Sequence, residues 1–357
     1  MPLQIHHRSY ALPLISAWPG VRDRQLIQRR GWLVSIVDDS IRGYGDCAPF
    51  PSAGTELHSQ AGLLLQEICG RKWADEGSIF RALEKNIVDF PATCHALETA
   101  LLDLQSRKSG IPLRRLLNDS AADQVQVNAF SGSICQENSS EAQKFGFTVI
   151  KLKAGVLPVA DEIRCLHALC ATLLPEVRIR LDANGAWTLE EALYFLDAAS
   201  ALPIESLEEP LRNPGLAEFV RLQSATDIIL ALDESLQRLN FDAILSCGNI
   251  RRLVLKPGVL GGMKQSYDMA AKAAAAGMES VVTSLVDSAV GIHAACQLAA
   301  AVDPLSPGMA HGLATSNWLQ EDVARPPAIR AGYLSLPDKP GSGIDEIFAE
   351  NLSRPLP

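Results

Sequence analysis

Past residue 120 the chain alternates short β-branched runs with longer stretches in which apolar residues recur at helical spacing. That alternation is the pattern of repeated βα units around a parallel sheet. Predicted strands are Val125–Phe130, Thr148–Lys153, Val177–Asp182, Ile204–Glu208, Ile228–Asp233, Leu253–Lys256 and Val281–Leu285, with a fainter run at Met309–Leu313. Between them lie Ala160–Leu173, Leu189–Ala201, Lys264–Ala276 and Ala289–Ala301, rich in alanine and leucine and long enough to be crossover helices. Eight strands suggest a closed barrel, although a doubly wound open sheet gives the same alternation.

The first 120 residues read differently. Apolar alternation over Gly31–Val37, the turn-like Gly43-Tyr44-Gly45-Asp46, and helical periods at Ser59–Ile68 and Ala92–Lys108 make α+β material. The end, Ala331-Gly332-Tyr333-Leu334-Ser335-Leu336-Pro337, returns to extended structure and is expected to pack back on the N-terminal part. At 357 residues the chain suits a barrel plus a smaller companion.

Composition narrows the class. With 47% hydrophobic and 20% charged residues the chain can bury a large core. A net charge of −9 and no basic run give no reason to expect nucleic acid or an anionic membrane as partner. No signal peptide is expected from Met1–Tyr10. The alanine-rich stretch Met269–Gly277, interrupted by Lys272, is too short for a membrane span. Eight cysteines without a Cys-x-x-Cys pair predict reduced thiols in a cytoplasmic protein, with Cys165 and Cys170 as core residues rather than a redox pair.

The chemistry lies at the strand ends. Lys153, Asp182, Glu208, Asp233 and Lys256 terminate successive predicted strands, at steps of 29, 26, 25 and 23 residues, each about one βα unit. In a βα barrel such ends converge on one mouth, where active sites sit. Three carboxylates from neighbouring strands make a hard oxygen site suited to Mg²⁺, or Mn²⁺ in its stead, whereas zinc would want histidine or cysteine. A cation also explains how three buried negative charges are tolerated. Lys151 and Lys153, two apart on one strand, share a face; each ammonium disfavours protonation of the other, which would make a lysine usable as a general base. Lys256 enters from the other side, as a second base or a fixed cation.

With these residues in view, Ile150-Lys151-Leu152-Lys153, Leu181-Asp182-Ala183-Asn184, Leu207-Glu208-Glu209-Pro210, Leu232-Asp233-Glu234-Ser235 and Val254-Leu255-Lys256-Pro257 resemble the enolase superfamily, in its muconate-lactonizing-type subgroup. Gly45-Asp46-Cys47-Ala48-Pro49, Ala96-Leu97-Glu98-Thr99-Ala100 and Pro340-Gly341-Ser342-Gly343-Ile344 extend the likeness over nearly the whole chain. The resemblance implies a TIM-like (β/α)7β barrel (121–325) and an α+β capping domain built from residues 1–120 and the tail 326–357. It implies Asp182, Glu208 and Asp233 as metal ligands, Lys153 as the base and Lys256 opposite it, with Lys151 tuning Lys153 and Asn184 and Glu234 in support. At Glu208-Glu209 it puts the ligand at the first glutamate; consecutive strand residues face opposite sides, so only one can point inward.

Within the subgroup, Val21-Arg22-Asp23-Arg24, Arg180-Leu181-Asp182-Ala183-Asn184-Gly185-Ala186-Trp187 and His311-Gly312-Leu313-Ala314-Thr315 resemble the o-succinylbenzoate synthases, which implies Arg24 as a substrate contact. Their reaction is the dehydration of a cyclohexadiene carboxylate on the route to menaquinone or phylloquinone. Dipeptide epimerases carry an Asp-x-Asp pattern where Gly312-Leu313-Ala314 stands. Thr283-Ser284-Leu285-Val286-Asp287 replaces the usual Ser-Ser-x-x-Glu, so Ser284 and the shorter Asp287 are candidate substrate contacts. Gly258, Gly261 and Gly262 either let backbone approach the substrate or form ordinary turns. The expected ligand is a small-molecule carboxylate. An N-succinylamino acid racemase, with Lys153 and Lys256 as bases on opposite faces, is the alternative activity. A non-catalytic binding barrel is the alternative of another class, disfavoured by the intact charged set.

Overall fold

The alternation around Gly31–Val37 belongs to a strand, β2 (Leu26–Asp38), between β1 (Gln4–Trp18) and β3 (Ile41–Cys47) in an antiparallel sheet. The computed structural model describes residues 2–18, 26–135, 139–348, 350 and 352. Trp32, Val34 and Ile36 of β2 are buried in a cluster with residues of α1 (His58–Cys69), α2 (Glu76–Asn86) and α3 (Pro91–Ser109). Helix α3 is buried nearly all round, from Pro91 to Ser106, because it packs both on the cap sheet and on the barrel. Strand β1 has no counterpart among the predicted strands. Its inward residues Ile5, Tyr10, Leu12 and Leu14 are interrupted by His6-His7-Arg8-Ser9, which blurs the period of two.

After α4 (Leu113–Leu117) and β4 (Gln124–Gln126), seven parallel strands follow: β5 (Ala129–Ser133), β6 (Val149–Lys153), β7 (Arg178–Asp182), β8 (Ile204–Glu208), β9 (Ile229–Leu232), β10 (Arg252–Leu255) and β11 (Glu279–Val282). Helices α5 (Ser139–Lys144), α6 (Val159–Cys170), α7 (Leu189–Ala199), α8 (Leu216–Gln223), α9 (Phe241–Cys247), α10 (Pro257–Leu260), α11 (Met263–Ala275) and α12 (Ala289–Val302) return the chain. Along β6 and β7, buried apolar residues (Ile150, Leu152, Ile179, Leu181) alternate with polar ones (Lys151, Lys153, Arg180, Asp182), the period of two that puts one set against the helices and the other in the barrel. The predicted eighth strand is reduced to His311 and Gly312, whose isolated bridges to Val127 and Thr283 close the barrel between β5 and β11.

Three expectations need correction. The predicted strand Val125–Phe130 is two strands: its first half is β4, its second opens the barrel. Of the tail, β12 (Ile329–Arg330) pairs with β13 (Tyr333–Ser335), and β13 pairs with β4 rather than with the cap sheet. Farther on, the tail reaches the cap where Ser342 N donates to Asp103 Oδ1 of α3 (2.6 Å) and Arg107 donates to Ile344 O (3.1 Å). The thiols are not all reduced, since Cys135, after β5, is disulfide-bonded to Cys165 of α6 across 30 residues, with Cα atoms 5.3 Å apart. The crossover from β5 to α6 brings them together, which no local spacing reveals. No helix among the described residues is long and apolar enough to cross a membrane.

Candidate active site

Register places the charged residues. Lys153 pairs with Asp182 across β6 and β7, and Asp182 with Glu208 across β7 and β8, so the three stand at one level of the barrel wall. Glu208 is level with Ala231, which puts Asp233, just beyond β9, one pleat nearer the mouth. Lys256 follows β10 directly. One layer below stand Lys151, Arg180 and Ser206.

The ammoniums lie among the carboxylates. Lys153 Nζ is 2.8 Å from Asp182 Oδ2 and also donates to Asn184 Oδ1. Lys151 Nζ bridges Glu208 Oε2 (2.6 Å) and Asp182 Oδ2 (3.1 Å), and Lys256 Nζ donates to Asp233 Oδ2. The mutual repulsion expected to lower a lysine pKa is therefore outweighed at Lys151. Burial pushes it down, but Asp182 and Glu208 more than compensate and hold it above the ordinary lysine range. Burial likewise works against ionised Asp182, yet Lys151 and Lys153 keep its carboxyl well below the usual range. Asp233 is raised by burial and by the neighbouring Glu234 and Glu208, despite Lys256.

Glu209 does not share the mouth chemistry of Glu208. At φ 43° its side chain turns under the β9 loop, where Oε1 accepts from Asp233 N (2.7 Å) and Ser235 N (2.9 Å) and Oε2 from Ser235 Oγ (2.8 Å). It holds the backbone that carries Asp233. Asn184 Nδ2 donates to Glu234 Oε1 (2.9 Å), joining the β7 and β9 loops.

The set suits a hard divalent cation in its chemistry. All its donors are carboxylate oxygens, and Glu208 Oε1 and Glu234 Oε2 are buried without a hydrogen-bond partner. As the side chains stand, no three histidine, cysteine, aspartate or glutamate residues among those described form a ready ligand cluster, because the lysines lie between them. Binding a cation would require Lys151 to release Glu208 or Asp182.

Above this floor opens a cavity of about 410 Å³, lined by Lys151, Lys153, Asp182, Asn184, Glu209, Glu234 and Lys256, with Phe50, Phe130, Leu211, Leu285 and Val286 among its apolar walls. Ser284 lines it too, its hydroxyl 2.7 Å from Thr315 Oγ1. Gly312 and Ala314 line it with no acid between.

Other expected contacts lie elsewhere. Asp287 turns away from the cavity to Arg29 (3.6 Å) and accepts from Leu285 N (3.1 Å). Gly258, Gly261 and Gly262 face the cap instead of the substrate space. A Cβ would lie 2.3 Å from Ile87 Cγ1 on Gly261, 2.4 Å from Glu98 Oε2 on Gly262 and 3.8 Å from His95 Cδ2 on Gly258. Arg24 lies outside the described residues.

Residues 135–346 match the family described as enolase C-terminal domain-like. The chain belongs to the enolase superfamily. It is accordingly an enzyme, and residues 4–104 match the MenC N-terminal domain. The o-succinylbenzoate synthase of Vibrio cholerae is 28% identical over 331 residues, covering 89% of this chain and 90% of that protein. Among solved structures, an N-succinyl Arg/Lys racemase from Bacillus cereus superposes with a TM-score of 0.88 at 21% identity over 98% of this chain and 97% of that one. A muconate lactonizing enzyme from Pseudomonas fluorescens does so at 0.84 and 21%, with the same coverage. These two likenesses establish the superfamily's barrel-plus-cap fold.

Sequence reasoning passed over two groups. Arg212 and Arg238 line the cavity from the loops after β8 and β9, where the rule that located the acids also applies, but charged loop residues are too common to stand out. Arg29 and Asp46 act across the cap–barrel contact, and no local pattern marks a partner as distant in sequence as Ser288, 242 residues after Asp46, whose N donates to Asp46 Oδ2 (3.0 Å).

Proposed function

We propose that the chain is an o-succinylbenzoate synthase, a lyase that converts 2-succinyl-6-hydroxy-2,4-cyclohexadiene-1-carboxylate to 2-succinylbenzoate and water. The observation that carries this reading is the match of residues 4–104 to the MenC N-terminal domain, on a chain whose barrel mouth presents lysines from β6 and β10 to one cavity. Lys153, as its free amine, takes the proton next to the substrate carboxylate and becomes the ammonium. Lys256 adds fixed positive charge as negative charge builds on the carboxylate oxygens. Loss of the hydroxyl breaks the C–O bond and completes the aromatic ring, and Lys153 returns its proton to the departing oxygen, so one acid–base group serves a syn elimination. Asp182, Glu208 and Asp233 would hold Mg²⁺, or Mn²⁺ in its stead, which when bound supplies Lewis acidity against the same developing charge. Six of the eight cysteines are free, against the one Cys135–Cys165 disulfide, and that majority supports a cytoplasmic setting.

The presence of Lys153 and Lys256 in the same cavity also supports N-succinylamino acid racemisation, with the two lysines as opposed bases. Assaying both substrates, with and without a chelator and added Mg²⁺, separates the readings. Chelator-sensitive dehydration far exceeding racemisation is expected; racemisation alone would replace the dehydratase reading.

A further inference from the structure

The one disulfide among the described residues has no duty in the reaction above, yet its two ends lie on either side of the base. Cys135 stands two residues past β5, whose Ser133 is level with Lys153. Between them Ile134 N donates to Lys153 O (3.1 Å), so the chain that carries Cys135 is bonded to the backbone of Lys153. Cys165 stands on α6 one turn past Glu162, on the same face. Glu162 is buried and accepts from Gly155 N (2.8 Å), Val156 N (2.8 Å) and Leu157 N (3.1 Å), in the loop that follows Lys153. Helix α6 therefore holds the Lys153 strand end twice, from ahead through Glu162 and from the side through the disulfide and Ile134. The second hold lasts only as long as one S–S bond.

We propose that Cys135 and Cys165 are a reversible redox modification site, closed by exchange with a small-molecule disulfide such as glutathione disulfide, and that closing it raises turnover by fixing the strand end that carries Lys153. One protein thiolate attacks a sulfur of the reagent, expels a thiolate and forms a mixed disulfide. The other protein thiolate attacks that protein-bound sulfur and expels the second thiolate. The protein loses two electrons and two protons, and the reagent leaves as two thiols. Neither cysteine is sealed in the core, both being half-buried. Burial pushes the Cys170 thiol up to about 11 and those of Cys69, Cys94 and Cys296 to about 12, and it raises Cys47 as well. These five hold little thiolate at neutral pH and compete poorly for the reagent. In a chain whose other thiols are free, a single disulfide suits a bond made and broken in use.

The inference rests on Lys153 as the base, and its test is chosen to separate the two. The Mg²⁺-loaded protein is equilibrated with dithiothreitol or with glutathione disulfide; thiols are then counted in denaturant, and kcat, KM and amide exchange at Ile134 are measured. Thiols should number eight after dithiothreitol and six after glutathione disulfide. Reduction should speed exchange at Ile134 and lower kcat roughly fivefold with a smaller change in KM, short of the roughly 10²-fold that a full misplacement costs. The Cys135→Ser, Cys165→Ser double variant should match the reduced wild type and respond to neither reagent, with its melting curve showing that it is folded. Eight thiols after both treatments overturn the site. A six-thiol protein with the kcat and Ile134 exchange of the eight-thiol form overturns the link to Lys153, and a double variant that still responds moves the sensitivity to another thiol. If neither redox state dehydrates the substrate, the dehydration reading fails, while the thiol count and the Ile134 exchange still decide whether the pair closes and holds the strand end.

Discussion

Lys153 and Lys256 carry different burdens in the proposed reaction, and substitution separates them. Lys153→Ala should cost turnover about 10² to 10⁴-fold, the range for an acid–base group, without lowering the melting temperature. Near-normal dehydration by that variant would remove Lys153 from its role. Lys256→Arg keeps the charge but cannot exchange a proton, so it should retain measurable dehydration that Lys256→Ala lacks, while abolishing any racemisation; equal loss in both folded variants would sink the fixed-cation role. Glu209 is a subtler case. Its Oε1 accepts both backbone N–H groups, so Glu209→Gln can keep those bonds and turn its amide toward the Ser235 hydroxyl, at little cost. Glu209→Leu strands two buried backbone donors, roughly 1 to 3 kcal/mol each, removes the acceptor of the Ser235 hydroxyl, and frees the backbone of Asp233. Urea unfolding and Mg²⁺ titration of the two variants should diverge accordingly, and a Gln variant as damaged as the Leu variant would show that the charge itself is needed. The shared position of the strand-end residues was legible because a barrel maps strand C-termini to one mouth. Alternation left one glutamate of the pair inward and the family resemblance named Glu208, but the hydrogen bonds of Glu209 depend on a loop conformation with φ 43° that no periodicity encodes.

At the scale of elements, the glycines after β10 show how a loop reading can assign the wrong neighbour. Gly262 is bare because Glu98, from α3 of the cap, reaches across to the N-terminus of α11 and accepts from Met263 N (2.5 Å) and Lys264 N (3.2 Å). Gly262→Ala should therefore destabilise by about 1 to 3 kcal/mol through overpacking, with KM unchanged. A shifted KM without a stability loss would return Gly262 to the substrate site. Burial raises Glu98 to about 7, against the two backbone donors and Lys264 that favour its ionised form, with Asp268 adding to the rise. The folded state thus holds this proton more tightly than the unfolded chain, whose ordinary value is 4.5. The stability this contributes is complete below 4.5 and is lost as pH rises through about 7. Glu98→Gln keeps an oxygen for both donors and should remove that component, so its melting temperature should fall less than the wild type's between pH 5 and pH 8; parallel profiles would place the titration elsewhere. Strands β6 to β11 and helices α6, α7, α11 and α12 were legible from period. The split of the first strand into β4 and β5 was not, because β4 is recruited by β13, some 200 residues later, and nothing between Val125 and Phe130 marks the change of partner.

In the whole molecule, the cavity is shared between cap and barrel, and one buried side chain joins the two walls. Arg29, on β2 of the cap, donates to Pro49 O (2.6 Å) and Ala48 O, and across the domain contact to Val286 O (3.2 Å), with Asp287 3.6 Å away and the Phe50 ring 5.1 Å from its guanidinium carbon. Phe50, Ser52 and Ala53 line the cavity from the cap and Val286 from the barrel, so the same guanidinium sets the spacing of both. Its fork satisfies three carbonyls and a carboxylate at once, which an ammonium cannot do. Arg29→Met would leave Asp287 and the carbonyls without their cation in a buried contact, a loss on the order of 3 to 5 kcal/mol. Because the floor lysines and carboxylates belong to the barrel alone, the variant should bind Mg²⁺ normally at temperatures where it is folded, while KM rises as Phe50 and Val286 lose their common tether. Arg29→Lys should fall between the two. Thermal unfolding read beside KM decides the matter. An unchanged melting temperature would deny Arg29 its part in the domain contact, and a large loss of stability with KM intact would mean that the cap closes over the mouth without it.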